Sequence, residues 1–200
     1  MSRKTLAKKL NILGNILISI SAIVLFLTFG PAIKEEVRYN VSNLIDNNYG
    51  KDLVPANTDF SIIIPKIAAV APVFADTDPF DPGKYLPILK KGVAHAEGSS
   101  YPGSPGNTYL FAHSTDAFYN VGRYNAVFYL LGKLQKGDEI FVYYKGEKIS
   151  YLVDSVKVVD PGDIKYLGKL SDVNTLTLQT CYPPGTILKR LVVIANQQNN

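Results

Sequence analysis

The chain has a single cysteine, Cys181, so it cannot close a disulfide within itself. In an oxidising compartment such a thiol is either a buried apolar filler or a group kept for its reactivity. Histidine is almost as scarce: His95 and His113 are the two imidazoles, which narrows the choice of any group titrating near neutrality. A surplus of one charge sign is missing from most of the chain. The net charge is +4, from 21 Lys and Arg against 17 Asp and Glu. Arg3, Lys4, Lys8 and Lys9 account for the whole excess, and the remainder of the chain is neutral overall. That distribution leaves no basic footprint for nucleic acid. No internal repeat is present. Asp76, Asp78 and Asp81, flanked by Pro79 and Pro82, lack the Gly and the distal Glu of an EF-hand loop. They read as a solvated Pro-rich loop in preference to a calcium site or a lid over a groove.

Long apolar runs are absent but for one. Residues 12–33 hold no charged side chain and are dominated by Ile, Leu, Val, Phe and Ala, about the 20 apolar residues that cross a bilayer as a helix. The run exceeds the 7–15 residues of a signal-peptide core, so an uncleaved anchor is expected over a cleaved leader ending near Gly30-Pro31-Ala32. Basic residues before it place the N-terminus in the cytoplasm and the rest outside. The expected organisation is a cytoplasmic tail (1–11), a transmembrane anchor (12–33), an extracellular spacer (34–58) with room for a short helix, and one domain (59–200).

From Asp59 onward, short β-branched and aromatic runs alternate with Gly, Pro, Asn and Asp. Strands are expected at Phe60–Ile64, Thr108–Ala112, Glu139–Tyr144, Lys148–Val159, Thr175–Thr180 and Leu191–Ala195. Their spacing predicts an all-β sandwich or barrel. Lys145-Gly146-Glu147 reads as a hairpin connection, Lys136-Gly137-Asp138 opens the strand before it, and Asn125–Leu134 reads as one short helix.

Two strands can be read to the level of side-chain direction, since successive residues face opposite sides. If Leu176 and Leu178 point into a core, then Thr175, Thr177, Gln179 and Cys181 share the polar face. Pro183-Pro184-Gly185 suits a chain reversal into the run opened by Arg190. Antiparallel pairing of the two strands then brings Cys181 close to Arg190. A guanidinium there either favours the thiolate or donates to the oxyanion formed when sulfur attacks a carbonyl; the alternative is a solvated strand-edge arginine. A sulfur nucleophile also needs a proton partner. His113, at the end of Thr108–Ala112 and before a polar loop, is favoured over His95 in Gly92-Val93-Ala94-His95.

Taken together, these segments resemble the sortase family, the membrane-anchored cysteine transpeptidases of mainly Gram-positive surfaces. Thr177-Leu178-Gln179-Thr180-Cys181 fits the family's TLxTC signature, Leu110-Phe111-Ala112-His113-Ser114 its histidine segment, and Arg190-Leu191-Val192-Val193 its arginine strand, in the family's order. Ile64-Pro65-Lys66-Ile67, Gly92-Val93-Ala94-His95 and the Pro102-Gly103 to Gly106-Asn107 stretch add support, so the likeness runs from Phe60 to Ala195. The resemblance implies a closed eight-stranded β-barrel with short helices, with His113, Cys181 and Arg190 as catalytic residues at one end of a groove. It also implies cleavage of an LPxTG-type C-terminal sorting signal through a thioester on Cys181, and transfer to an amine on a cell-wall precursor or a pilin lysine. No metal or organic cofactor is implied. The segments nearest the cysteine and His95 are most similar to classes D and E. A surface peptidase that only hydrolyses and a non-catalytic anchored barrel that binds ligands are the competing readings.

Overall fold

The computed structural model describes residues 3–45, 50, 52–114, 126–168 and 173–198. Its first element is one helix, α1 (Arg3–Ile45), which carries the apolar run and continues into the polar stretch after it. Once a long apolar helix has formed, adding residues to it costs no new nucleation, so the polar turns extend it. Within α1, Ala7–Phe26 is long and apolar enough to cross a membrane, and none of it is covered by the rest of the protein. Farther along, Tyr39 packs against the edge of the barrel core and Glu36 Oε2 lies 3.2 Å from Lys133 Nζ.

Beyond α1 there are eight strands among the described residues: β1 (Phe60–Ile64), β2 (Ala69–Thr77), β3 (Val93–Ala96), β4 (Asn107–Phe111), β5 (Glu139–Tyr144), β6 (Glu147–Val159), β7 (Thr175–Tyr182) and β8 (Lys189–Gln197). They close into a barrel in the order β1-β2-β3-β4-β7-β8-β6-β5, which removes the exposed edges of an open sheet. The pairs β2/β3 and β4/β7 are parallel and the others antiparallel. Parallel neighbours need crossover connections. The first carries a short helix, α2 (Pro82–Leu89); the second contains β5 and β6.

All six expected strands are present with small changes at their ends. The β5–β6 hairpin turns on Lys145 (φ 50°) and Gly146 (φ 86°), the two left-handed residues that a tight two-residue turn matching strand twist requires. Three elements have no clear signature in the sequence. In β2, Pro72 removes a backbone donor and the alanines carry little strand signal. β3 is four residues long, too short to show a period. The start of α2 is the Asp81-Pro82 pair, which has the look of loop punctuation; in the fold Asp81 caps the helix, its Oδ1 accepting from Gly83 N at 2.8 Å, and Pro82 occupies the first turn where it is best tolerated. In place of the helix expected over Asn125–Leu134 there is a 3-10 turn, Tyr129–Lys133; Asn125 lies outside the described residues.

Ile62, Ile64, Val93, Leu110, Ile140, Leu176, Leu178 and Val193 fill the barrel interior. A second apolar cluster lies outside it, where Leu89 of α2 and Tyr166 of a 3-10 turn (Ile164–Leu167) cover Ala94, Ala96, Tyr109, Phe111 and Val192. The stretch β3-β4-β7-β8 is therefore buried on both faces along much of its length. The face of β7 expected to be polar and open is covered at its start: Thr175 and Thr177 are buried, and both hydroxyls donate to Asn107 Oδ1 at 2.9 Å. Asn107 Nδ2 in turn donates to Tyr166 O at 2.7 Å, which fastens the covering turn in place. The face opens only toward the C-terminal end of β7.

Candidate active site

At that open end the sheet register determines which side chains meet. β7 and β8 pair so that Cys181 lies directly opposite Arg190, as the reversal at Pro183-Pro184-Gly185 predicts. β4 and β7 run parallel with Phe111 beside Gln179. Their pairing continues past the end of β4, since Ala112 N donates to Gln179 O at 3.1 Å and Thr180 Oγ1 donates to Ala112 O at 2.9 Å. The same register carried one residue further puts His113 level with Cys181. Neighbouring strands stand about 4.8 Å apart, so His113, Cys181 and Arg190 occupy three adjacent strands on one level. Side-chain alternation agrees. Ala112, Thr180 and Leu191 are buried toward the interior, while His113, Cys181 and Arg190 are half-buried on the outer face. Segments distant in sequence thus converge.

Cys181 is a free thiol. Arg190 Nη1 donates to Ile187 O at 3.2 Å and to Lys189 O at 3.1 Å, which folds the guanidinium onto the β7–β8 connection. The Nε and Nη2 hydrogens of the fork take no part in those bonds. Thr180 explains why a hydroxyl precedes the cysteine: its bond to Ala112 O ties together the residues just before His113 and Cys181.

His95 is placed elsewhere. It is fully buried on β3, where its neighbours Ala94 and Ala96 face the outer cluster and its own ring turns the other way. It pairs with Leu110, three residues before His113 on the neighbouring strand. Its Nδ1 accepts from Asp76 N at 3.4 Å; its Nε2 contacts Ser99 Oγ at 2.9 Å and Ser100 O at 3.2 Å. The ring stacks on Tyr101, with centroids 4.8 Å apart, and Tyr101 Oη donates to Asp76 Oδ2 at 2.5 Å. Asp76, His95 and Ser99 superficially form a Ser-His-Asp line, since Asp76 Oδ1 lies 3.7 Å from Nδ1. The bonding is that of a structural knot instead. Ser99 Oγ donates to Ala96 O at 2.8 Å and accepts from Tyr109 N at 3.2 Å, so its hydrogen and a lone pair serve the backbone. Burial pushes the His95 pKa down, outweighing the opposite pulls of Ser100 O and Asp76.

Of the three aspartates expected in one Pro-rich loop, Asp76 lies instead near the end of β2 and Asp81 at the start of α2, and all three serve local structure. Asp76 receives Tyr101, Asp78 Oδ1 accepts from Phe80 N at 2.9 Å, and Asp81 caps α2. The Asp78 carboxyl is held below its ordinary pKa, first by that backbone bond. Among the described residues no group of three or more His, Cys, Asp or Glu is arranged to hold a metal ion.

Two residues of the site carry no recognisable signal as a pair in the sequence. Gln179, one same-face rung from Cys181 on β7, accepts at Oε1 from the hydroxyl of the buried Tyr109 of β4, which is level with Thr177. Burial pushes the Tyr109 pKa up, against a weaker downward pull from the Arg190 charge. Gln179 is legible as a residue of the cysteine's face, but its partner lies 70 residues away.

The family model described as "Sortase domain" matches residues 62–198. Sortase D of Bacillus subtilis (strain 168) is 31% identical over 133 residues, which make up 65% of this chain and 59% of that relative's length. Among solved structures, sortase C from Clostridium perfringens SM101 is 28% identical with a TM-score of 0.57, covering 84% of this chain and 88% of that one. The pilus-related sortase C of Group B Streptococcus is 26% identical with a TM-score of 0.60, covering 84% and 89%.

Proposed function

The chain belongs to the sortase family, and from that premise we propose that it is a membrane-anchored cysteine transpeptidase acting through Cys181, His113 and Arg190. The observation that carries the assignment is the shared level of Cys181 on β7, Arg190 on β8 and His113 just past the end of β4, on the outer face of the barrel. Cys181 Sγ, as thiolate, adds to the carbonyl carbon of the scissile bond in a donor peptide bearing an LPxTG-type sorting signal, at the threonine. Arg190 donates hydrogen bonds to the oxyanion or to the peptide backbone. Collapse of the intermediate breaks the C–N bond, and His113 delivers a proton to the departing amine. The acyl group is left as a thioester on Cys181. An acceptor amine then attacks that thioester, gives its proton to His113, and expels the thiolate, so one amide replaces another. The acceptor is a cell-wall precursor or a pilin lysine. The curated relative being a sortase D supports kinship with class D.

The anchor supports a cell-membrane location, with Arg3, Lys4, Lys8 and Lys9 on the cytoplasmic side and the barrel outside. Incubation with an LPxTG-type peptide, with and without a triglycine amine, tests the chemistry. Mass spectrometry is expected to show a thioester on Cys181 and a ligated product when the amine is present. A ligated product formed equally well by Cys181→Ala sinks the thiol mechanism, and cleaved acid alone in the presence of amine reduces the protein to a hydrolase.

A further inference from the structure

Gln179 lies two residues before Cys181 on β7, so both side chains leave the same face of the strand, about 7 Å apart along it. Its surroundings are apolar. Phe111 is its neighbour on β4 and Val192 its neighbour on β8, both buried. Tyr85 of α2 meets Phe111 edge-on, with ring centroids 6.0 Å apart. An amide set into such a surface is not needed for packing and carries a desolvation cost unless it is bonded. Half of it is bonded: the hydroxyl of the buried Tyr109 holds Oε1. The other half is not. No described residue accepts from Nε2, and Gln179 as a whole is half-buried. The Tyr109 hydroxyl thus restrains the amide through Oε1 and leaves the Nε2 hydrogens without an acceptor among the described residues, on a side chain that shares its strand face with Cys181.

We propose that Gln179 is a positioning residue for the donor peptide, its Nε2 hydrogens donating to the backbone carbonyl two residues away from the scissile one, with Tyr109 acting through it as the group that restrains the amide. This rests on the transpeptidase reading and adds to it a polar contact in an otherwise apolar floor. An extended peptide repeats its carbonyls on one side about every 7 Å. A donor peptide that runs along β7 with its scissile carbonyl at Cys181 brings the carbonyl two residues away to the level of Gln179. The contact belongs to donor binding and not to the acceptor amine or to the reactivity of sulfur.

Steady-state transpeptidation by the full chain in detergent micelles tests the idea, with an LPxTG-type peptide as donor and triglycine as acceptor. Only turnover that Cys181→Ala abolishes is counted, so a failure of the thiol mechanism is read separately. Gln179→Met keeps the shape and removes the amide. It is expected to raise the donor KM about three- to tenfold, the fold-change of one hydrogen bond, with kcat within about twofold and the triglycine KM unchanged. Tyr109→Phe is expected to raise the donor KM by a smaller factor. The double variant is expected to match Gln179→Met alone, because the phenol acts only through the amide. The alkylation rate of Cys181 by iodoacetamide is expected to stay at the parent value in all three. An unchanged donor KM in Gln179→Met overturns the proposal, as does a lowered kcat with slower alkylation, which marks a merely structural floor. Fully additive effects of the two substitutions overturn the role of Tyr109.

Discussion

Arg190 commits Nη1 to the carbonyls of Ile187 and Lys189, so the guanidinium is held against the β7–β8 connection before substrate arrives, with its Nε and Nη2 hydrogens outside those bonds. Lysine keeps the charge but has no fork with which to do both. Arg190→Lys is therefore expected to lose about 10- to 100-fold in kcat and Arg190→Ala about 100- to 1,000-fold, the latter being the scale of a lost oxyanion donor; single-turnover acylation checks both. His95 makes a different demand on its surroundings. Its pKa is lowered because burial disfavours the imidazolium, so the unfolded chain binds a proton that the fold resists. The stability this represents is fully present above the unfolded value of about 6.5 and is lost as pH falls through the lower folded one. The slope cannot exceed about 1.4 kcal/mol per pH unit for one proton. Melting of the wild type between pH 7.5 and 5 is expected to drop more steeply than that of His95→Gln. Acylation by His95→Gln at pH 7.5 is expected to survive, whereas His113→Gln abolishes it.

Between elements, β4 and β7 are joined by more than their ladder. Asn107 collects Thr175 and Thr177 at one end, and Thr180 reaches Ala112 at the other. All of these side chains are buried, so each bond removed leaves a polar group with no water to replace its partner. Thr180→Val keeps the volume and deletes the donor to Ala112 O. It is expected to cost about 1–3 kcal/mol of stability and to lower kcat more than it raises KM, since the strand ends bearing His113 and Cys181 lose their shared tether. Asn107→Ala strands two hydroxyls far from the reacting atoms. Its expected signature is a larger fall in melting temperature with a smaller change in kcat, and thermal melting alongside steady-state kinetics separates the two cases.

At the scale of the molecule, the helix that carries the apolar span also touches the barrel. Tyr39 packs on the core edge, Lys133 Nζ sits 5.6 Å from the Tyr39 ring centroid, and Glu36 pairs with the same lysine. The ion pair is partly exposed and contributes on the order of 0–1 kcal/mol. A single thiol makes the topology directly measurable. On intact cells a membrane-impermeant maleimide is expected to label Cys181. Labelling only after lysis places the barrel inside and overturns the orientation drawn from the four N-terminal basic residues.

Strand positions, the Lys145-Gly146 turn and the apolar span are legible in the sequence because each is written in neighbouring residues: alternation, positive φ at Gly146, and an uninterrupted apolar run. The Cys181–Arg190 pairing is legible for a related reason, since a short Pro-Pro-Gly reversal leaves antiparallel strands few registers. The hidden features depend on contacts that neighbouring residues do not encode. The strand pattern of β2 is interrupted by Pro72, β3 is too short to show a period, and the capping role of Asp81-Pro82 looks in sequence like a loop. The parallel pairing of β4 with β7 joins Ala112 to Thr180 across 68 residues, and it alone brings His113 level with the cysteine. Likewise, burial of Thr175 and Thr177 beneath Tyr166, and the grip of Tyr109 on Gln179, arise from covering the outer face of a closed barrel. Local chemistry was determined by the sequence itself, whereas the meeting of imidazole, thiol and guanidinium was decided by barrel closure, because only a closed sheet sets which distant strands lie side by side and in what register.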